Sequence, residues 1–219
     1  MTQLKIDTHA HWFPPEWVDL IAREGNGKGV EVTVEGGKIT RFSAPSINRA
    51  GFAPQYVEMP IRLKLMDEGR VDMHALSLTS PMVYWATPEF GLKLSQVFND
   101  ACSAAHLKNP QRFIGMAMVP MQAPALAVEE VSRAAKLPGI RGVYMATHVN
   151  GKNLDEKEFW PVYERCEALG LPIFLHPVAP VGRERTRKYH LGALGSGSVL
   201  VEFSAGDGLG HYQGTLIST

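Results

Sequence analysis

Five short apolar runs recur along this chain, and stretches with helical periodicity fill the gaps between them. That alternation constrains the fold more than any other feature. The first run leads into Ile6-Asp7-Thr8-His9-Ala10-His11, and the others cover residues 71–78, 113–119, 140–145 and 171–176. Between them lie a stripe made of Trp17, Val18, Leu20 and Ile21, then residues 56–68, 88–109, 123–136 and 155–169. The runs are almost continuously apolar, as expected of strands buried on both faces. Strands alternating with helices predict a parallel sheet with crossover helices. Five strand–helix units in series favour an α/β chain of the (β/α)8, or TIM-barrel, type over a doubly wound sheet. No Gly-X-Gly-X-X-Gly follows the first strand, which argues against a dinucleotide-binding sheet.

The units differ in what they carry between strand and helix. Residues 30–42 place Val30, Val32 and Val34 on one face, then Gly36-Gly37, then Ile39. This reads as a β-hairpin with a tight glycine turn, inserted after strand one. It is either a flap beside a site or an ordinary edge hairpin. Residues 44–54 read as loop. The Gly69, Pro138-Gly139 and Gly170 positions read as helix stops.

Composition narrows the class. The 219 residues are 45% hydrophobic and 20% charged, enough core for one domain and too little for two full ones. Lys plus Arg and Asp plus Glu both number 22. With no basic excess and no polybasic run, neither nucleic acid nor a membrane surface is an expected partner. No apolar run has the length of a membrane span, and no signal peptide is expected at the N-terminus. Cys102 and Cys166 belong to no metal-type spacing and read as reduced, buried thiols of a cytoplasmic protein.

The chemistry gathers at strand ends, the face that carries active sites in barrels. Strand alternation points His9 and His11 the same way, giving half of a divalent-metal site. His176 ends the fifth strand and is followed by Pro177. Strands one and five of an eight-stranded barrel lie across from each other, so His176 is the expected third ligand. Asp7 is expected on the opposite face from the pair and receives no role. A carboxylate substrate calls for a cationic clamp, and arginine has the better shape. Arg49 and Arg62 are the candidates, each also readable as a surface arginine. His148 is expected at the mouth, to meet substrate or metal-bound water, or to be an ordinary loop histidine. Arg183, Arg185, Arg187 and Lys188 form a basic run that either meets an acidic substrate or is a solvated helix face. His74 reads as a structural core residue, and His106 and His190 receive no function.

Several of these stretches, in order, resemble one family. They are Asp7-Thr8-His9-Ala10-His11, Tyr84-Trp85-Ala86-Thr87-Pro88-Glu89, Pro120-Met121-Gln122-Ala123-Pro124, Thr147-His148-Val149-Asn150, and the strand ending in His176-Pro177. Together they resemble the amidohydrolase superfamily, in the branch of the 2-amino-3-carboxymuconate-6-semialdehyde decarboxylases. The resemblance covers about the first 190 residues. It implies a (β/α)8 barrel, metal duty for His9, His11 and His176, and one catalytic divalent metal, zinc in the decarboxylase itself and manganese in some relatives. It also implies removal of a carboxylate from a small unsaturated or aromatic acid. Metal-dependent hydrolysis of a lactone or amide is the alternative on the same ligands.

The family pattern continues with an acid/base histidine in a His-Gly-Gly-Gly-like run and a late metal-site aspartate, and this chain contains neither motif. The catalytic acid/base group is therefore unassigned. The expected organisation is an incomplete barrel portion over 1–191, about five units with the hairpin at 30–42, and a divergent Gly/Ser-rich tail over 192–219. The tail carries Asp207 and His211, candidates to stand in for the missing groups. A truncated, inactive family member is the further alternative, and a homo-oligomer is a candidate assembly.

Overall fold

The computed structural model describes residues 4–45, 47–80 and 82–176. The basic run at 183–188, His190, the boundary at 191 and the tail with Asp207 and His211 lie outside the described residues. Strands β1 (Ile6–His11), β5 (Met73–Ser77), β6 (Phe113–Met118), β7 (Ile140–Ala146) and β10 (Ile173–His176) form one parallel sheet in the order β1-β5-β6-β7-β10. Helices α1 (Pro15–Glu24), α2 (Met59–Glu68), α3 (Pro88–Lys108), α4 (Pro124–Ala134) and α5 (Trp160–Ala168) fill the connections. This is the five-stranded parallel part of a (β/α)8 barrel with its helices, as the alternation predicts.

Proline starts every one of these helices. Pro15, Pro60, Pro88, Pro124 and Pro161 occupy the first or second helical position. There the missing N–H has no intrahelical partner to lose, and the fixed φ is already helical. Two helices begin later than periodicity predicts. The 56–68 pattern begins on the last residue of a 3-10 turn at Pro54–Tyr56 that precedes α2, and the 155–169 pattern contains a 3-10 turn at Lys157–Phe159 before α5. A proline at N1 or N2 sets the first α-helical residue, whereas hydrophobic spacing alone runs through the turn.

The insertion has three strands. Strands β2 (Glu31–Glu35) and β3 (Lys38–Ala44) pair antiparallel around Gly36 and Gly37, whose φ values of 56° and 76° are both left-handed. This is what a two-residue hairpin turn demands of its central residues. Strand β4 (Ile47–Arg49) adds to β3, with Phe42 opposite Arg49. The loop expected over 44–54 is therefore corrected. Three residues are too few for an alternating pattern to declare itself, so only pairing reveals this strand. Phe42 and Ile39 of β3 are buried and anchor the insertion to the main core.

The core lies between the sheet and its helices. Trp17 and Ile21 of α1, Leu94 and Phe98 of α3, Val131 of α4 and Val162 of α5 are all fully buried. Packing of α3 on β6 is close enough to require glycine. A Cβ at Gly115 would stand 2.7 Å from Ile140 Cδ1 and 2.8 Å from Cys102 Cβ. No helix among the described residues is long and apolar enough to cross a membrane.

Sheet curvature is what matters for function. Strands β1 and β10 are the two outer strands, four places apart. In a flat sheet they would be about 19 Å apart, at about 4.8 Å per place. Yet the His176 ring centroid lies 5.1 Å from that of His9 and 4.9 Å from that of His11. The sheet curls into an arc whose two outer strands face each other across the interior.

Candidate metal centre

Three imidazoles meet inside that arc. One donor nitrogen from each of His9, His11 and His176 lies within 4.8 Å of the others, and the His9 and His11 ring centroids are 4.5 Å apart. The structure thus brings together the three residues that the strand ends predicted. Among the described residues no carboxylate completes the cluster. A tetrahedral zinc sphere with Zn–N near 2.05 Å sets its donors roughly 3.3 Å apart, so small side-chain rotations would close the three onto one ion. Three borderline-soft nitrogen donors suit zinc, and manganese also accepts imidazole.

Neighbouring strands fix the rings. His11 pairs with Ser77 in the β1–β5 register, and His11 Nδ1 is 3.1 Å from Ser77 Oγ. This leaves Nε2 of His11 for the cluster. Ser77 is fully buried and is also hydrogen-bonded to the Tyr144 side chain of β7. The sequence Tyr144, Ser77, His11 is therefore a relay of side chains from β7 through β5 to β1. Such outer hydrogen bonds set the orientation and tautomer of a ligand histidine. Thr79 Oγ1 lies 3.4 Å from His176 Nε2, and the Tyr144 ring stands 5.6 Å from that of His176.

Electrostatics keep His11 neutral. Burial above all, then His176, His9 and the Arg62 guanidinium, hold His11 down to about 3. At neutral pH it is an uncharged imidazole, the form that binds a metal. Burial likewise pushes the Tyr144 phenol well above its ordinary range, partly offset by its hydrogen bond to Ser77.

Arg62 is not at the surface. It is only 5% exposed; Nη1 is 3.1 Å from His74 Nδ1, and Nη2 donates to the His11 carbonyl. These contacts point it at the backbone of β1. Arg49, on β4, has a different setting. Its guanidinium lies 5.0 Å from the Phe13 ring and 4.4 Å from that of Phe52. Nε donates to Gly51 O at 2.8 Å and Nη1 to Ser80 O at 3.2 Å. His148 begins the short strand β8 (His148–Val149), paired with β9 (Lys152–Asn153), and its Nδ1 accepts from Gly151 N–H at 3.3 Å. It lies after β7, on the side of the sheet's C-terminal ends.

The opposite face expected of Asp7 does not follow from alternation, which sets residues 7, 9 and 11 on one face. The β1–β5 ladder shifts register between Asp7 and Ala10, so Asp7 pairs with His74 instead. Its Oδ2 stands 3.7 Å from His74 Nε2, and Asp7 is not among the residues that cluster with His9, His11 and His176. His74 is held down to about 4, chiefly by burial, then by the Arg62 charge, with Asp7 opposing. The unfolded chain takes up this proton near pH 6.5, before the folded state does. Stability is therefore full above pH 6.5 and falls as pH drops from 6.5 toward 4. Urea unfolding of the His74→Asn protein should lose this share of the acid sensitivity. An unchanged pH profile would contradict the assignment.

Sequence reasoning did not pick out Ser77, Thr79 or Tyr144. The available signal was polar side chains at the C-terminal ends of apolar strands, which Ser77 and Thr79 supply. Tyr144 gives no such sign, because its apolar ring fits an ordinary buried strand.

The amidohydrolase family profile matches residues 6–198. The chain belongs to this family. Among curated relatives of this amidohydrolase, the 2-amino-3-carboxymuconate-6-semialdehyde decarboxylase of Dictyostelium discoideum is 32% identical over 189 residues, covering 86% of this chain and 53% of the relative. The gamma-resorcylate decarboxylase of Polaromonas sp. is 34% identical over 131 residues, covering 55% of this chain and 39% of the relative. The chain thus spans about half the length, or less, of the curated relatives it matches. The crystal structure of 5-carboxyvanillate decarboxylase LigW from Sphingomonas paucimobilis is 26% identical with a TM-score of 0.69, over 91% of this chain and 62% of that one. The dihydroxybenzoic acid decarboxylase of Polaromonas sp., solved with manganese and 2-nitroresorcinol, is 26% identical with a TM-score of 0.59, over 86% and 53%.

Proposed function

We propose that this amidohydrolase holds one divalent metal, zinc or manganese, on His9, His11 and His176, and decarboxylates a small unsaturated or aromatic carboxylic acid. The observation that carries the reading is the convergence of three imidazoles from the two outer strands of the sheet. The names of the relatives, decarboxylases of such acids, support the reaction class. In decarboxylation the bond from the carboxylate carbon breaks, carbon dioxide leaves, and the carbon left with the electron pair takes a proton. The metal, when bound, supplies a Lewis acid to stabilise the developing negative charge.

The chain's own residues supply orientation and recognition. Tyr144 and Ser77 set the His11 ring, as the hydrogen bonds at Ser77 indicate. Arg49 is the carboxylate clamp, and Arg62 is not, because Arg62 is spent on His74 and the His11 carbonyl. Two of the five N–H groups of Arg49 are engaged by carbonyls. The rest can form charge-assisted bonds to a carboxylate. Its contact at Ser80 is one residue from Thr79, which neighbours His176. His148 is a further polar contact at the mouth. We place the enzyme in the cytoplasm, with the barrel portion over 1–191 and a homo-oligomer as a candidate assembly. Two buried, unpaired thiols, Cys102 and Cys166, fit a reducing compartment.

The test is product analysis on metal-loaded protein with a panel of aromatic and unsaturated acids. Carbon dioxide release is the expected result. Ring opening of lactones or amine release from amides, with no carbon dioxide, would replace decarboxylation by metal-assisted hydrolysis. Within the active reaction, Arg49→Ala should raise KM about tenfold or more with a smaller change in kcat, and Arg49→Lys should fall between. Unchanged KM in Arg49→Ala would remove it as the clamp.

A further inference from the structure

The backbone around His9 and His11 is irregular, since the ladder to β5 shifts register between Asp7 and Ala10. A shift of this kind takes regular ladder support away from the residues whose side chains must converge. Three side chains supply contacts there. The Asp7 carboxylate accepts the His9 N–H through Oδ1 at 2.9 Å. Its other oxygen stands 3.7 Å from His74 Nε2. His74 Nδ1 is 3.1 Å from Arg62 Nη1, and Arg62 Nη2 donates to the His11 carbonyl. Arginine can only donate, so Nδ1 of His74 accepts and the ring proton sits on Nε2, toward Asp7. Three hydrogen bonds and one longer approach, the 3.7 Å between Asp7 and His74, link the amide of one cluster histidine to the carbonyl of the other.

We propose that Asp7, His74 and Arg62 form a positioning unit that holds the backbone at both His9 and His11, so that their imidazoles converge before any ion arrives. It gives Arg62, a candidate substrate clamp from sequence, a different task. The unit uses one side chain from each of β1, β5 and α2, and so ties the first strand to its neighbour and to the helix behind it. The affinity arm of its test rests on the metal reading above, and the exchange arm does not.

The experiment compares wild type, Arg62→Met, Arg62→Lys, His74→Asn and, as a packing control in α3, Leu94→Ala. Zinc affinity is measured by competition with a chelator. Amide exchange of His9 and the ring nitrogen shifts of His74 are measured by NMR on metal-free protein. Arg62→Met should weaken zinc binding about 10–100-fold, the range found for outer partners of metal ligands, and should speed His9 exchange. Arg62→Lys should recover part of both, because an ammonium can still donate to the His11 carbonyl. His74→Asn should speed His9 exchange, and wild-type His74 should show its proton on Nε2. Leu94→Ala should lose stability yet keep the zinc affinity of the folded protein. If Arg62→Met, or Arg62→Lys where the methionine variant does not fold, matches wild type in His9 exchange, the unit is refuted. A wild type that binds no zinc would overturn the metal reading, and the exchange data would then decide the unit alone.

Discussion

Alanine in place of His11 should remove stoichiometric metal binding from this protein. Outer partners of a ligand histidine are worth roughly 10–100-fold in affinity, so loss of the ligand itself should exceed about 100-fold. His9→Ala and His176→Ala should do the same, because the three donors sit on one small cluster and no carboxylate among the described residues stands by to replace one. Ser77→Ala, which removes the hydroxyl that contacts His11 Nδ1 and Tyr144 but leaves all three ligands, should fall between wild type and the ligand variants. His106→Gln is the comparison, since His106 lies on α3 and its Nδ1 contacts Phe113 O at 2.8 Å, in a different part of the fold. The measurement is zinc and manganese titration with circular dichroism on the same samples. Folded His11→Ala protein with wild-type affinity would dismiss the assignment.

Arg133→Ala is the variant expected to lose the most stability. Glu130 of α4 is completely buried, and its carboxylate accepts from Arg133 Nε and Nη2, both at 2.8 Å. Its Oε1 also accepts from Asn99 Nδ2 at 2.7 Å, and Asn99 in turn bonds the backbone N–H and C=O of Met118, each at 2.8 Å. Arg133 Nη1 reaches Asp100 at 2.7 Å. This network joins α3, α4 and the end of β6. Without Arg133 the buried carboxylate has no counter-charge, and the cost should be about 3 kcal/mol, at the lower end for a broken buried pair because the arginine is partly exposed. In a chain of this size that corresponds to roughly 6–12 °C in Tm. The double variant Glu130→Leu with Arg133→Leu should recover much of the loss, because both partners then leave together. Calorimetry showing less than about 1 kcal/mol for Arg133→Ala would mean the network carries little of the stability.

What the sequence made readable follows from how far each signal reaches. The parallel sheet was readable because five apolar runs alternate with stretches of helical period, one local pattern repeated along the chain. The two-glycine hairpin was readable because its turn demands positive φ at two adjacent positions. Strand β4 was not, since three residues show no period. The three histidines were readable as strand-end residues, but their meeting depends on sheet curvature, which no residue encodes alone. Arg62 shows the limit most clearly. In sequence it is one arginine on a weakly patterned helix, and only the packing of α2 behind β1 turns it toward the His11 carbonyl. The position of Asp7 depends on a register shift, and register is a property of two strands together.

Direct metal analysis tests most simply whether the three convergent imidazoles hold one ion. Purified, folded protein should be dialysed against zinc or manganese and then assayed for bound metal per chain. The expected result is close to one ion per chain, and none in His11→Ala protein treated the same way. Well-folded wild-type protein that retains no metal would contradict it, and with it the metal-dependent decarboxylation proposed for the chain.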